Sequence, residues 1–209
     1  MNYHSLKLLS FFIMTLLLAS CVVMINENDY RELSETQKKQ YLKPFDISVF
    51  SNHTNNDSLV LYELNSENIK TVTKKFPYTL VHLWRPFCKA EACLNIGYYQ
   101  NVQEKYKKQG LKVLFVSETY DINDIKKRVR DSHFEMPVFV LQDSCYGHKM
   151  KKNKQKLLRD FTHKSLTKRE ASVDDLFFKD TTLVYAGFIP DDYVLDSLMN
   201  IKSGINIFK

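Results

Sequence analysis

Glycine and proline are scarce, five of each in 209 residues, which excludes collagen-like repeats and Pro/Gly-rich low-complexity chains. Four cysteines are too few to staple a small scaffold that lacks its own core. Beyond the N-terminal stretch, no apolar run approaches the roughly 20 residues needed to cross a bilayer. There is no glycine-rich loop to cradle phosphate, no serine-triad spacing, no zinc pattern and no internal repeat.

What is present suits one domain with a substantial core. The chain is 44% hydrophobic, 26% charged and 13% aromatic, well outside the composition of disordered proteins. A net charge of +6 modestly favours an acidic partner or an anionic surface.

The first residues form a secretory signal. His4 and Lys7 make a weakly basic start, Leu8 to Leu18 is almost unbroken apolar sequence, and Ala19-Ser20 precede Cys21. Leu18-Ala19-Ser20-Cys21 resembles the lipobox of bacterial lipoproteins. That resemblance implies a signal peptide over 1–20, acyl chains on Cys21, lipid anchoring outside the cytoplasm and a tether over 21–45. Val22 after the lipidated cysteine is compatible with outer-membrane sorting in some bacterial lineages. Three thiols then remain: Cys88, Cys93 and Cys145. An odd count outside the cytoplasm suggests one working pair and one spare.

Within 22–45, Glu35 to Tyr41 reads as a short helix, with Ser34 as N-cap and Gln37 completing a capping box. Asp46–Phe50 and Leu59–Leu64 alternate like strands. Ser66 to Phe76 reads as a helix, Thr79–Trp84 as a strong strand, and Ala92 to Tyr106 as one long helix ended by Gly110. Leu111–Val116 is a second core strand, Asn123–Ser132 a helix and Pro137–Leu141 a third strand. Lys152–Leu166 reads as a basic helix. Leu176–Phe178 and Leu183–Ala186 form a hairpin, and a last helix starts near Pro190 and closes at Gly204. The alternation of strands and helices predicts a parallel sheet with an antiparallel edge in one domain over 46–209.

Leu80-Val81-His82-Leu83-Trp84-Arg85-Pro86-Phe87-Cys88 resembles the strand and active-site turn of thioredoxin-like proteins, nearest to the membrane-attached extracytoplasmic thiol oxidoreductases. The resemblance implies an α/β fold with a central mixed sheet flanked by helices. It also implies Cys88 as a nucleophile at a helix mouth, with Arg85 and Lys89 favouring its thiolate. Exchange would be with extracytoplasmic protein thiols or disulfides. No cofactor, metal or nucleic acid is expected.

The sequence departs from that pattern twice. The family's second cysteine lies three residues after the first; here that position is Glu91, a candidate proton-transfer or capping group, and the second cysteine is Cys93. Five residues on an ideal helix separate Cα atoms by about 8–9 Å, beyond disulfide reach, so a Cys88–Cys93 bond requires a non-helical first turn. The C-x4-C spacing is similar to that of certain one-domain peroxiredoxins, although Arg85 stands where those carry Thr or Ser. In addition, Val173-Asp174-Asp175 precedes the Leu176 strand where the fold places a cis-proline, and Pro137 is the nearest alternative. Three functions stay open: thiol–disulfide exchange, a degenerate binding module and a thiol peroxidase. Cys145 is a possible third thiol. Cys88, Cys93 and His148 could be read as soft copper ligands, although the spacing does not match the copper-delivery branch of the fold. Lys149 to Arg169 is a basic segment suited to a solvated face or to anionic lipid.

Overall fold

The computed structural model describes residues 27–52, 59–163, 173–189, 191–200 and 207–208. The signal sequence, Cys21, the basic residues from Lys164 to Arg169, Pro190 and Gly204 lie outside the described residues.

Among these residues, eight strands build one sheet: β1 (Leu42–Pro44), β2 (Leu61–Leu64), β3 (Tyr78–Trp84), β4 (Leu111–Ser117), β5 (Val138–Leu141), β6 (Asp175–Lys179), β7 (Thr182–Gly187) and β8 (Ile207–Phe208). Their order is β1-β2-β5-β4-β3-β6-β7-β8. The first five positions pair in parallel, β6 runs antiparallel to β3 and β7, and β8 lies parallel to β7. The mixed α/β class and the antiparallel terminal hairpin agree with the sequence reading.

The helices are α1 (Glu35–Tyr41), α2 (Val49–Asn52), α3 (Ser66–Lys75), α4 (Glu91–Leu94), α5 (Gly97–Tyr106), α6 (Ile122–Asp131), α7 (Asp143–Tyr146), α8 (Met150–Thr162) and α9 (Asp192–Met199). They cover both faces of the sheet, which is why the central strands are apolar nearly throughout. Along β3, Leu80 and Trp84 join one core with Tyr99 and Val102 of α5, Ile125 of α6 and Leu195 of α9. Val81 and Leu83 join the other, with Ile69 and Val72 of α3 and Leu157 and Leu158 of α8. The connection into β4 needs a glycine. Gly110 has φ +87°, and a Cβ there would meet the Pro77 ring at 2.4 Å.

Three expectations are corrected. Asp46–Phe50 is no strand: the Asp46 carboxylate accepts the Ser48 N–H at 2.7 Å, and the chain turns into α2, placing Phe50 against Phe76 and Phe139. The long helix from Ala92 is two helices, Glu91–Leu94 and Gly97–Tyr106, broken at Asn95 and the buried Ile96 by the turn that pairs Cys88 with Cys93. Residues 27–45, read as tether, are packed onto the body. The capping box of Ser34 and Gln37 is present, β1 adds a parallel strand beside β2, and the Tyr30 ring meets Tyr120 at 4.9 Å.

Asn28 pins this segment and is itself 1% exposed. Its N–H donates to His148 O and its carbonyl accepts the Tyr120 N–H. Its side-chain amide donates to Asp143 Oδ1 and Gly147 O, both at 3.2 Å. Truncation would strip the part-buried Asp143 carboxylate of this amide donor and leave Gly147 O with the Asn153 amide alone. Asn28→Ala should therefore lower the unfolding free energy by about 1–3 kcal/mol, read from urea denaturation. An unchanged midpoint would mean that the segment is not held this way.

Candidate functional site

The site sits where β3 ends. Trp84 is the last strand residue, residues 85–90 turn, and α4 begins only at Glu91. The Cys88 N–H donates to Arg85 O at 3.0 Å, and the Cys93 and Leu94 N–H groups both turn back to Ala90 O. This non-helical path brings the Cys88 and Cys93 Cα atoms to 5.8 Å, and the two sulfurs are bonded. The spacing condition derived from the sequence is thus met by delaying the helix. One expectation changes with it: Cys88 lies in the turn, three residues ahead of a four-residue helix, so a helix-terminal dipole contributes little to its chemistry.

Each cysteine carbonyl has a donor. The buried Trp84 indole N–H donates to Cys93 O at 3.1 Å. From α6, Arg128 donates through Nε to Pro86 O at 3.1 Å and through Nη2 to Cys88 O at 3.4 Å. The sequence shows Trp84 only as the end of a strand and does not single out Arg128. No signal in the sequence points to Arg128, because its partners are backbone atoms some 40 positions away.

The expected supporting residues are placed differently from one another. Arg85 is not a free anion-binding group: it lies 3.3 Å from Asp174 and 3.5 Å from Glu118. Lys154 of α8 completes the group, 2.9 Å from Glu118 and 3.0 Å from Asp174. Two cations thus face two carboxylates, with Glu118 and Lys154 nearly buried. Asp174 stands where a cis-proline was sought; its backbone carbonyl accepts the Leu83 N–H at 2.7 Å. There is no cis peptide bond among the described residues, Pro137 included. Lys89 is exposed beside the pair. The backbone of Glu91 opens α4, while its side chain is outside the description.

Two rows below Trp84 lies a buried polar cluster. His82 Nδ1 is 2.9 Å from Asp175 Oδ1, Tyr99 OH donates to the same oxygen at 3.3 Å, and the Ile189 N–H donates to Oδ2 at 2.8 Å. A carboxylate only accepts, so Nδ1 carries the ring hydrogen. The His82 and Tyr99 rings stack at 3.8 Å. Burial, followed by the charge of Asp175, pushes the Tyr99 phenol well above its ordinary range. His82, in the apolar strand β3, is a core histidine.

Cys145 is unpaired and exposed. Its thiol faces Gln142 at 3.2 Å and Asn65 at 3.9 Å, at the ends of β5 and β2 rather than β3. His148 lies 3.9 Å from Glu27. No three His, Cys, Asp or Glu side chains among the described residues form a metal-holding group.

No protein-family model and no curated protein matches the sequence. Among solved structures, the chain is similar to one described as the "Solution Structure of a Putative Thioredoxin from Neisseria meningitidis". The TM-score is 0.41 and the identity 17%, over 62% of this chain and 76% of that one.

Removing the α6 clamp should loosen the turn without unfolding the domain. In Arg128→Gln, reduction of the Cys88–Cys93 bond by a dithiol should run about 3- to 10-fold faster, for a loss of about 1 kcal/mol of hydrogen bonding. Arg128→Lys should fall between it and the parent. Equal rates in all three would remove Arg128 from the site.

Proposed function

We propose that this chain is a thioredoxin-like lipoprotein of the bacterial cell envelope, held by acyl chains on Cys21, that exchanges disulfides with protein thiols outside the cytoplasm. The observation that carries the reading is the Cys88–Cys93 pair, bonded in a turn at the end of the central strand. The pair is redox-capable by position. Cys88 is only partly buried, and the turn around the pair is fastened through its backbone carbonyls as well.

In the reducing direction the Cys88 thiolate attacks a substrate disulfide. An S–S bond forms to Cys88, and the substrate's other sulfur leaves as a thiolate. Cys93 then attacks the Cys88 sulfur, forming the intramolecular bond and releasing the second substrate thiol. The oxidising direction is the same sequence reversed. Two electrons pass in either case, and no cofactor takes part.

One observation favours a second reading, a binding module without turnover. Asp174, tied into the four-charge group, occupies the strand entrance where the family presents a proline to its substrate. A peroxidase reading is less well supported, because Arg85 is committed to two carboxylates.

A redox titration separates these readings. The full chain in detergent is equilibrated in dithiol buffers, free thiols are trapped by alkylation, and linkages are mapped by mass spectrometry. A reversible Cys88–Cys93 couple between roughly −270 and −120 mV is expected, with exchange lost in Cys88→Ser. A pair that never reopens at accessible potentials sinks the exchange mechanism and leaves the binding module. Oxidation by stoichiometric peroxide faster than by disulfides would move the assignment to a peroxidase.

A further inference from the structure

The place where the chain enters the domain and the place of the cysteine pair share one edge of the sheet. Strands β5, β4 and β3 are parallel neighbours, so the segments that follow them emerge on the same side. The turn carrying Cys88 follows β3. The loop that holds the Asn28 carbonyl, through the Tyr120 N–H and the Thr119 hydroxyl, follows β4. The loop that holds the Asn28 side chain, through Asp143 and Gly147, follows β5. Asn28 is therefore fixed about two strand spacings from the end of β3, roughly 10 Å.

Only five residues, 22–26, separate Cys21 from Glu27. Fully extended, that length spans roughly 20 Å. With the step to Asn28, the offset from it and the four residues from Trp84 to Cys88, the sulfur pair stays within roughly 50 Å of the acylated cysteine whatever path residues 22–26 take. The opposite edge lies farther out by the length of the seven-residue strands β3 and β4, roughly 23 Å. Exposed Lys149, Lys151 and Lys152 stand on the anchored edge at the start of α8, and cations there attract anionic head groups. Glu27 and Asp121 on the same edge offset part of that charge, so the short attachment is the stronger constraint.

We infer that the Cys88–Cys93 edge faces the bilayer, and that its exchange partner is a thiol or disulfide on a membrane-held protein, displayed close to the membrane surface, rather than a freely diffusing one. This rests on the acyl anchor proposed above. Without residues 27–45 packed onto the sheet, a flexible tether would let the pair sample the whole compartment. With Asn28 buried, the pair works in a thin layer.

The test uses full-length lipidated protein, purified from membranes and reconstituted into vesicles of neutral and anionic phospholipid carrying a head-group acceptor dye. In a Cys93→Ser/Cys145→Ser chain a donor dye is placed on Cys88. In a Cys88→Ser/Cys93→Ser/Cys145→Ser chain it is placed at Asp180→Cys, in the β6–β7 turn at the far edge. Several-fold greater energy transfer from Cys88 than from position 180 is expected, in vesicles with or without anionic lipid. Equal or reversed transfer, in protein that floats with the vesicles, overturns the orientation while leaving the anchor intact. Protein that fails to float overturns the anchor and the orientation with it. A complementary arm inserts a 40-residue Gly/Ser segment after Val22. Transfer from Cys88 should then fall towards that of the far-edge label, and transfer unchanged by the insertion would show that the tether does not set the geometry.

Discussion

Two cysteines five positions apart cannot both lie on a regular helix and bond, and residues 84–97 are shaped by that limit. The strand stops at Trp84, the turn runs six residues without helix, α4 lasts one turn, and a second break at Ile96 sends the chain into α5. Each interruption frees backbone groups that a continuous helix would have satisfied. The Trp84 indole and the Arg128 guanidinium supply donors for three of the carbonyls concerned. The pairing thus depends on residues brought from the strand below and from a helix packed beside it.

The polar groups beneath this turn follow a consistent logic. Arg85, Glu118, Lys154 and Asp174 are arranged so that each charge meets two of opposite sign. Such groups add little net stability over apolar packing, but they are costly to break singly. Their value here is positional: they join the end of β3, the loop after β4, the start of β6 and helix α8 at one point. The Asp175 cluster does the same one layer lower, tying β3 and α5 to the segment after β7. The sheet edge that carries the cysteines is therefore braced on three sides by directional contacts, beyond what an apolar core alone would impose.

Much of this was legible in the sequence because it is local. The capping box at Ser34, the apolar alternation of β3 and β4, the hairpin around Asp180 and the glycine stop at 110 are all written within a few residues. The need for a non-helical turn at Cys88 followed from spacing alone. What escaped was non-local. Asn28 reads as an ordinary polar residue in a polar stretch, and only the folded loops after β4 and β5 reveal its partners. Arg128 reads as one more basic residue on an amphipathic helix. Asp46–Phe50 has strand-like alternation, yet an aspartate turning back on Ser48 and an aromatic pocket at Phe139 outweigh it.

Trp84 is the chain's single tryptophan, and it is buried with its indole on the Cys93 carbonyl. A disulfide is an efficient quencher of a nearby excited indole, and a dithiol much less so. The molecule consequently carries its own optical gauge: ultraviolet emission intensity follows the oxidation state of one bond, with no label and no competing chromophore of the same kind. That signal would be readable in real time, in detergent or on a vesicle.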